Sequence, residues 1–309
     1  MANFFSDLAP NVIFSKDPNA IVDFMKEHKL LTSSCNCLIC TKPMEMVTRP
    51  LSSTSDGFGW RCTNQRCSKR HTYHTIRSGS FFENSKVTLS KWLYIIYLWS
   101  HQTKVTAAVK QVDIGEKTVI QMYQYLRDVC SSKLLHTPIQ LGGQDVVVQI
   151  DESLFKHKSK HNRGRRPQKE LWVFGLADTS YKPAITYLEL VDKRDAATLL
   201  PIIRKAVQPG TIIHSDQWGA YNKIQSELNL QHGVVNHSIN FVDPDTGVHT
   251  QTIESYWAKA KYKFKEMKGV SSHILPSYLD ERMWRDRWGH CGNQAVNNIL
   301  QHIAEQNPV

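Results

Sequence analysis

Apolar positions change their period twice along this chain. Across SKDPNAIVDFMKEHKLL they recur at helical spacing after an Asp-Pro-Asn opening, so residues 1–32 are expected to be mainly helical. From 35 to 76 the pattern breaks into short pieces rich in Cys, Thr, Ser and aromatic residues, which predicts short strands and turns. Helical spacing returns over 86–131. There KVTLSKWLYIIYLWSH reads as one helix. The following TKVTAAVKQVDIGEKTVIQMYQYLRDVC reads as a short helix, a turn at DIG and a longer helix, the outline of a helix-turn-helix.

After the glycine pair at 142–143 the pattern turns to strands: QDVVVQID (144–151), LWVFGLAD (171–178), AITYLELV (184–191), TIIHSD (211–216) and GVVNHSINFV (233–242). Helical segments are expected at 194–207 and 217–228, and another helix opens near 250. Three strands, then helix, strand, helix, strand and helix, make a mixed α/β sheet. The stretches YLDERMWRDRWGH and NQAVNNILQHI look like amphipathic helices covering that core, with Trp284 and Trp288 as packing residues. The longest apolar run, WLYIIYLW, is far shorter than the ~20 residues of a membrane span, and MANFFSDLAP lacks the basic start of a signal peptide. A soluble intracellular protein without a membrane partner is expected.

Charge adds a partner. With 38 Lys and Arg against 28 Asp and Glu, the net charge of +10 points to a polyanion. The basic residues concentrate in KHKSKHNRGRRPQKE, between the first two core strands. Lys156, Lys158, Lys160, Arg163, Arg165, Arg166 and Lys169 are there candidates for the DNA backbone, a solvated loop and a nuclear-import signal being the alternatives. In the helical region Lys110, Lys117 and Arg127 are further phosphate candidates.

Five of the seven cysteines lie between 35 and 67. Cys37-x2-Cys40 and Cys62-x4-Cys67 have the spacing of a four-thiolate structural zinc site, each turn presenting two sulfurs to one ion. Cys35 competes with this set through its Cys35-x-Cys37 spacing, and free structural cysteines are the alternative reading.

Three acids sit where an α/β sheet would converge them. Asp151 follows VVVQI, Asp216 follows TIIHS, and Glu254 lies in the first turn of TQTIESYWAKAKYKFKEMKG, where Thr250 or Thr252 is a candidate cap. Each alone is more readily a turn acid or a helix-dipole acid. Together they suit two divalent ions, Mg2+ or Mn2+, about 4 Å apart, as used in phosphoryl transfer. Along the same helix, Lys261 lies roughly 10 Å from Glu254 at 1.5 Å rise per residue. That is too far to neutralise the carboxylate, and Lys261 and Lys265 are candidates for neighbouring phosphates. Trp257 and Phe264 form an apolar seam, with Lys259 and Lys263 facing outward or extending the DNA contact. Trp218 and Tyr221 either pack on the sheet or stack on a splayed base. His214, His237 and His249 pack, cap or line the site; neither GxSxG nor HExxH is present, which leaves a hydrolase triad without support.

These words resemble a known family. SGSFFENSKVTLSKWLYIIYLW after the cysteines, VVVQIDESLFKHKSKHNRGRRPQ around Asp151, IIHSDQWGAY around Asp216 and VNHSINFVDPDTGVHTQTIESYWAKAKYKFKEMKG around Glu254 resemble the DDE/D transposases of the Merlin superfamily and their bacterial insertion-sequence relatives. The resemblance covers about residues 35–300. It implies an N-terminal helical segment (1–34), a zinc ribbon (35–80), a helical DNA-binding region (81–141), an RNase H-like catalytic core (142–270) and C-terminal helices completing that core (271–309). It also implies Asp151, Asp216 and Glu254 as the catalytic, metal-binding triad, and cut-and-paste strand cleavage and transfer at terminal inverted repeats. The partners would be the element ends, target DNA and a second copy or more of the chain. A nuclear location is favoured in a eukaryotic host, the nucleoid in a bacterial one. A domesticated DNA-binding protein and a nuclease of the same fold are the alternatives.

Overall fold

The computed structural model describes residues 12, 13, 15, 17–156, 170–267 and 269–309. They divide into two compact units, residues 1–129 with 288–309 and residues 130–287.

In the first unit, helix α1 (Pro18–Glu27) starts where the Asp17 side chain accepts the backbone N–H of Asn19. Strands β1 (Glu45–Thr48), β2 (Phe58–Arg61) and β3 (Tyr73–His74) form a small antiparallel sheet in that order. A sheet of this size buries too little to stand alone, and two devices tether it. One is the cysteine cluster described below. The other is a buried pair in which Arg77 donates to both oxygens of Asp56 at 2.6 and 2.7 Å, while Asp56 Oδ1 also accepts the N–H of Leu89. Leu89 begins α2 (Leu89–Ser100), which Thr88 caps. Helix α3 (Val105–Val112) ends at Asp113 in the left-handed conformation, and α4 (Glu116–His136) follows three residues later. This is the expected helix, turn and longer helix. Arg127, however, is buried and donates to Gln124 Oε1, so it is no surface phosphate contact.

Residues 271–309 were expected to cover the second unit's sheet. Their first helix, α8 (Leu275–Trp288), lies almost wholly in that unit, but α9 (Gly292–Gln306) groups with the first. Its apolar stripe, including Val296, Ile299 and Ile303, is spent on packing against α2.

The second unit is a five-stranded mixed sheet in the order β6-β5-β4-β7-β8. Its strands are β4 (Val147–Lys156), β5 (Leu171–Asp178), β6 (Ile185–Val191), β7 (Ile212–Asp216) and β8 (Gln231–Val235). The first three pair antiparallel, while β7 lies parallel to β4 and β8 parallel to β7. This is the arrangement expected of an RNase H-like core. Helix α5 (Ala196–Ala206) is capped by Asp195, the short α6 spans Ile224–Leu228, and α7 (Gln251–Glu266) crosses β4 and β5. Two boundaries differ from expectation. Strand β8 stops at Val235, before the turn at Asn236. Strand β4 runs five residues past Asp151, because ESLFK continues the pairing with β5 after the apolar run ends.

Behind α7 lies a buried polar cluster. Thr186 and Tyr256 both donate to Asp286 Oδ2, at 2.7 and 2.6 Å, and Arg282 reaches Asp286 Oδ1 at 3.0 Å. It ties α7 to α8 and β6, fixing the helix that bears Glu254 against rotation.

Candidate metal and DNA sites

The sulfurs of Cys37, Cys40, Cys62 and Cys67 all lie within 4.8 Å of one another. Cys37 and Cys67 are 3.9 Å apart and Cys40 and Cys62 3.8 Å. A tetrahedron with Zn–S bonds of about 2.3 Å has edges of about 3.8 Å, so the four thiols fit zinc. The backbone N–H two residues on lies against each sulfur: Ile39, Lys42, Asn64 and Lys69. Such donors favour thiolates. Cys35 stays outside the set, its sulfur against the Asn36 carbonyl and Met44. Among the described residues this is the one cluster of three or more His, Cys, Asp or Glu ligands so tightly gathered.

The acids are arranged more openly, by the sheet itself. The parallel register pairs Gln149 with His214. Asp151 and Asp216 each lie two residues past that last pair, on neighbouring strands and on the same face as Gln149 and His214. Asp151 is thus mid-strand rather than at a strand end, while Asp216 does end β7. Glu254 stands in the first turn of α7.

Each carboxylate is held by named partners. Asp151 Oδ1 accepts the N–H of Glu152 and Oδ2 accepts the Trp257 indole N–H at 2.9 Å. Trp257 gets that close because Gly175 pairs with Asp151 across the sheet, and any Cβ there would collide with the indole. Asp216 Oδ1 accepts the N–H of Trp218. Glu254 Oε1 accepts the Thr250 hydroxyl at 2.7 Å and lies 3.2 Å from His237 Nε2. Thr250 is therefore spent on the carboxylate and does not cap the helix with its side chain.

The cap comes from elsewhere. Gln149, fully buried on β4, accepts the N–H groups of Thr252 and Ile253 on one Oε1, at 2.8 and 3.2 Å, and its amide nitrogen lies 3.2 Å from His249 Nδ1. One side chain thus sets the helix of Glu254 against the strand of Asp151. Gln149→Ala is expected to cost roughly 2 kcal/mol of stability, because two helix N–H groups lose a buried acceptor. Gln149→Glu, which keeps the acceptor, is expected to recover most of it. Denaturant unfolding of the three proteins measures this, and an alanine variant as stable as wild type would contradict the capping role.

Burial, opposed by the Trp257 hydrogen bond and reinforced by the charges of Asp216 and Glu254, pushes Asp151 up to about 6. Glu152, on the opposite face of β4, is pushed up to about 7, again chiefly by burial, opposed by the Tyr221 hydroxyl and reinforced by the Asp151 charge. Neither Glu152 Oε1 nor that hydroxyl closes a well-formed hydrogen bond. Folded Asp151 keeps its proton to a higher pH than the unfolded chain, whose ordinary value is 3.8. The folded state binds more protons in that window, so stability is lost as pH rises from about 4 to 6. In chelator, Asp151→Asn should therefore gain on wild type between pH 4 and 7, by at most about 3 kcal/mol. Unfolding both proteins at the two pH values checks it; an unchanged difference would contradict the raised value.

The donor set fits hard divalent cations. All three side chains offer oxygen, Asp216 Oδ2 and Glu254 Oε2 accept no hydrogen bond from the described residues, and the repulsion from Asp216 and Glu254 that adds to burial in raising Asp151 is what a cation relieves.

Of the basic residues, Lys261 lies 5.5 Å above the Phe155 ring and is depressed by burial, against the opposing pull of the Asp151 charge. It therefore senses Asp151, an acid that the helix-rise estimate from Glu254 did not address: α7 crosses β4 and brings the lysine over Phe155. Lys265 repels Lys261 from the next turn. Lys263 is exposed, as expected, but it pairs with the buried Glu281 at 2.9 Å and lies over Tyr278. Lys156 closes β4, and Lys158, Lys160, Arg163, Arg165, Arg166 and Lys169 lie outside the described residues. His214 is half-buried and held below its ordinary value by burial and the neighbouring His249. Tyr221 is buried and stacks on Phe174, whereas Trp218 stays 42% exposed.

Residues 140–286 match the ISXO2-like transposase domain. A transposase-like protein of Haemophilus influenzae is 30% identical over 99 residues, which span 32% of this chain and 78% of that protein. A protein in the transposable element ISH50 of Halobacterium salinarum is 24% identical over 238 residues, 73% of this chain and 79% of that protein. Among solved structures, the mariner Mos1 paired-end complex with Mg aligns with 80% of this chain and 83% of its own, at 12% identity and a TM-score of 0.28.

Proposed function

Because this chain belongs to the DDE-type transposases with an ISXO2-like domain, we propose that it binds the terminal inverted repeats of an element, cuts the DNA there and joins the freed 3′ ends to a target. The observation that carries the reading is that Asp151 and Asp216 each lie two residues past the last pair of adjacent parallel strands, with the charges of Asp216 and Glu254 both felt at Asp151. Two Mg2+ or Mn2+ ions bound by these acids would activate the attacking hydroxyl and stabilise the leaving oxygen.

The chain's own residues supply the rest. Trp257 and the N–H of Glu152 fix the Asp151 carboxylate, while Thr250 and His237 fix that of Glu254. Lys261 and Lys265 hold phosphates next to the scissile bond, and the basic residues from Lys156 to Lys169 hold the backbone further out. The zinc ribbon and helices α2 to α4 take the repeat sequence, with Lys110 and Lys117 as exposed phosphate contacts. Joining two ends requires at least two copies of the chain.

The test is to supply purified protein with duplexes carrying the element's own ends, in Mg2+ or Mn2+. Cleavage at the end and joining of a pre-cleaved end to plasmid support the reading. Cleavage without joining makes the protein a nuclease of this fold, and binding without either makes it a DNA-binding protein.

A further inference from the structure

At one end of the sheet an arginine is caught between two tryptophans. Trp172 pairs with Leu154 of β4 on one side and Val191 of β6 on the other. It therefore lies at the end of the sheet where β4 and β6 finish, which is also where β7 finishes at Asp216. Arg194 follows β6, one residue before the cap of α5. Its guanidinium carbon is 3.7 Å from the centroid of Trp172 and 5.1 Å from that of Trp218. Both indoles are themselves held. Trp218 donates its ring N–H to the Arg194 carbonyl and its backbone N–H to Asp216, each at 3.0 Å. Trp172 donates its ring N–H to Glu170 at 3.1 Å.

The guanidinium is thereby fixed in plane while its donors are unspent. Among the described residues, no carboxylate or carbonyl accepts from its Nε or Nη groups. Glu152 is close enough to feel its charge but makes no hydrogen bond to it. Stacking alone would be served by any flat or apolar side chain. A planar fork with no acceptor among the described residues, joined through Trp218 to Asp216, matches an anion with two equivalent oxygens. Trp218, two residues past Asp216 and only partly covered, offers an aromatic face at the same place.

We propose that Arg194, clamped by Trp172 and Trp218, binds one phosphodiester of the DNA strand that enters the site, with the open face of Trp218 against the adjoining nucleoside. This rests on the transposase reading above. The clamp places a strand at the Asp216 side of the sheet, as Lys261 does on the α7 side, so the strand is gripped on both flanks of the acids. A neighbouring phosphate is what the bidentate fork reads; the indole face tolerates any base.

The test uses the full chain carrying Asp151→Asn, so that DNA is bound and left uncut. Element-end duplexes carry a single neutral methylphosphonate, moved one position at a time along the strand. At one position the neutral linkage should weaken binding by roughly tenfold. At that same position it should cost nothing further once Arg194→Ala is added, because the partner is already gone. Arg194→Met keeps apolar packing between the indoles and should behave like alanine, which separates lost charge from lost structure. Arg194→Lys keeps the charge without the fork and should recover binding only in part. Additive losses at every position would overturn the clamp, as would Arg194→Ala binding and cutting DNA like wild type, and both would leave the transposase reading standing. Failure of the parent protein to bind any element-end duplex would overturn the two together.

Discussion

Asp151→Asn, Asp216→Asn and Glu254→Gln are each expected to lower DNA strand cleavage by at least about a thousandfold, the scale on which deletion of one member of a catalytic group acts. Affinity for the same DNA should stay within a few-fold. The dissociation follows from where the residues sit. Asp151 and Asp216 stand on neighbouring parallel strands and each accepts from a named partner, Trp257 and Trp218, so amides in their places keep the shape and lose the charge that would hold cations. Phosphate affinity is assigned to other side chains, among them Lys261, Lys265 and the basic residues after Lys156. Removing a carboxylate even lessens repulsion of the backbone. Gel-shift and cleavage assays on one set of element-end duplexes, across a range of Mn2+, measure both quantities. A variant that binds and cuts equally well would remove its residue from the proposed triad. A variant that loses binding and cutting in parallel would show a folding role instead.

Loss of zinc is expected to act in the opposite sense. Four sulfurs spaced like the corners of a zinc tetrahedron close a three-stranded sheet too small to fold on its own core. The ion then contributes on the order of 10 kcal/mol to that region. Metal analysis should find one zinc per chain, and Cys37→Ser or Cys62→Ser should release it. Selective binding of element ends should vanish while the sheet of the second unit, which holds none of these ligands, keeps its melting transition. Cys35→Ser, whose sulfur lies against a carbonyl and a methionine, should leave the zinc content at one. Zinc lost with Cys35→Ser, or retained by Cys62→Ser, would contradict the assignment.

Much of this architecture was legible in the sequence because it depends on local period and spacing. Alternation and apolar runs gave the five core strands, the DIG turn divided α3 from α4, and paired cysteines announced the ribbon. What stayed hidden depends on partners distant along the chain. Gln149 reads as a polar intrusion in VVVQID until Thr252 and Ile253 are seen to donate to it from more than 100 residues away. Gly175 reads as a weak point in LWVFGLAD, yet it is the gap that admits Trp257 to Asp151. Lys263 looked like one more basic contact in a lysine-rich helix, because the buried Glu281 that claims it lies on α8. The last helix has an ordinary amphipathic stripe, and a stripe says that a helix packs, without saying on what. The one polar signal available in advance was Gln149 itself, since a buried amide in an apolar strand must find partners.

The capping of α7 by Gln149 also sets an order of assembly. Asp151 and Asp216 come together as soon as β4 and β7 pair, but Glu254 joins them only when the first turn of a later helix finds an acceptor on a strand made much earlier. That closure spans 103 residues, so it belongs among the late, non-local steps of folding. During synthesis, a chain that has emerged only as far as β8 carries two of the three acids and an uncommitted glutamine. All five strands have then been made, but the third carboxylate is absent, and so is the share of the core that Ile253, Trp257 and Phe264 supply. The helix that completes the proposed site is thus also one that completes the core, so the three acids and a fully packed sheet arrive together.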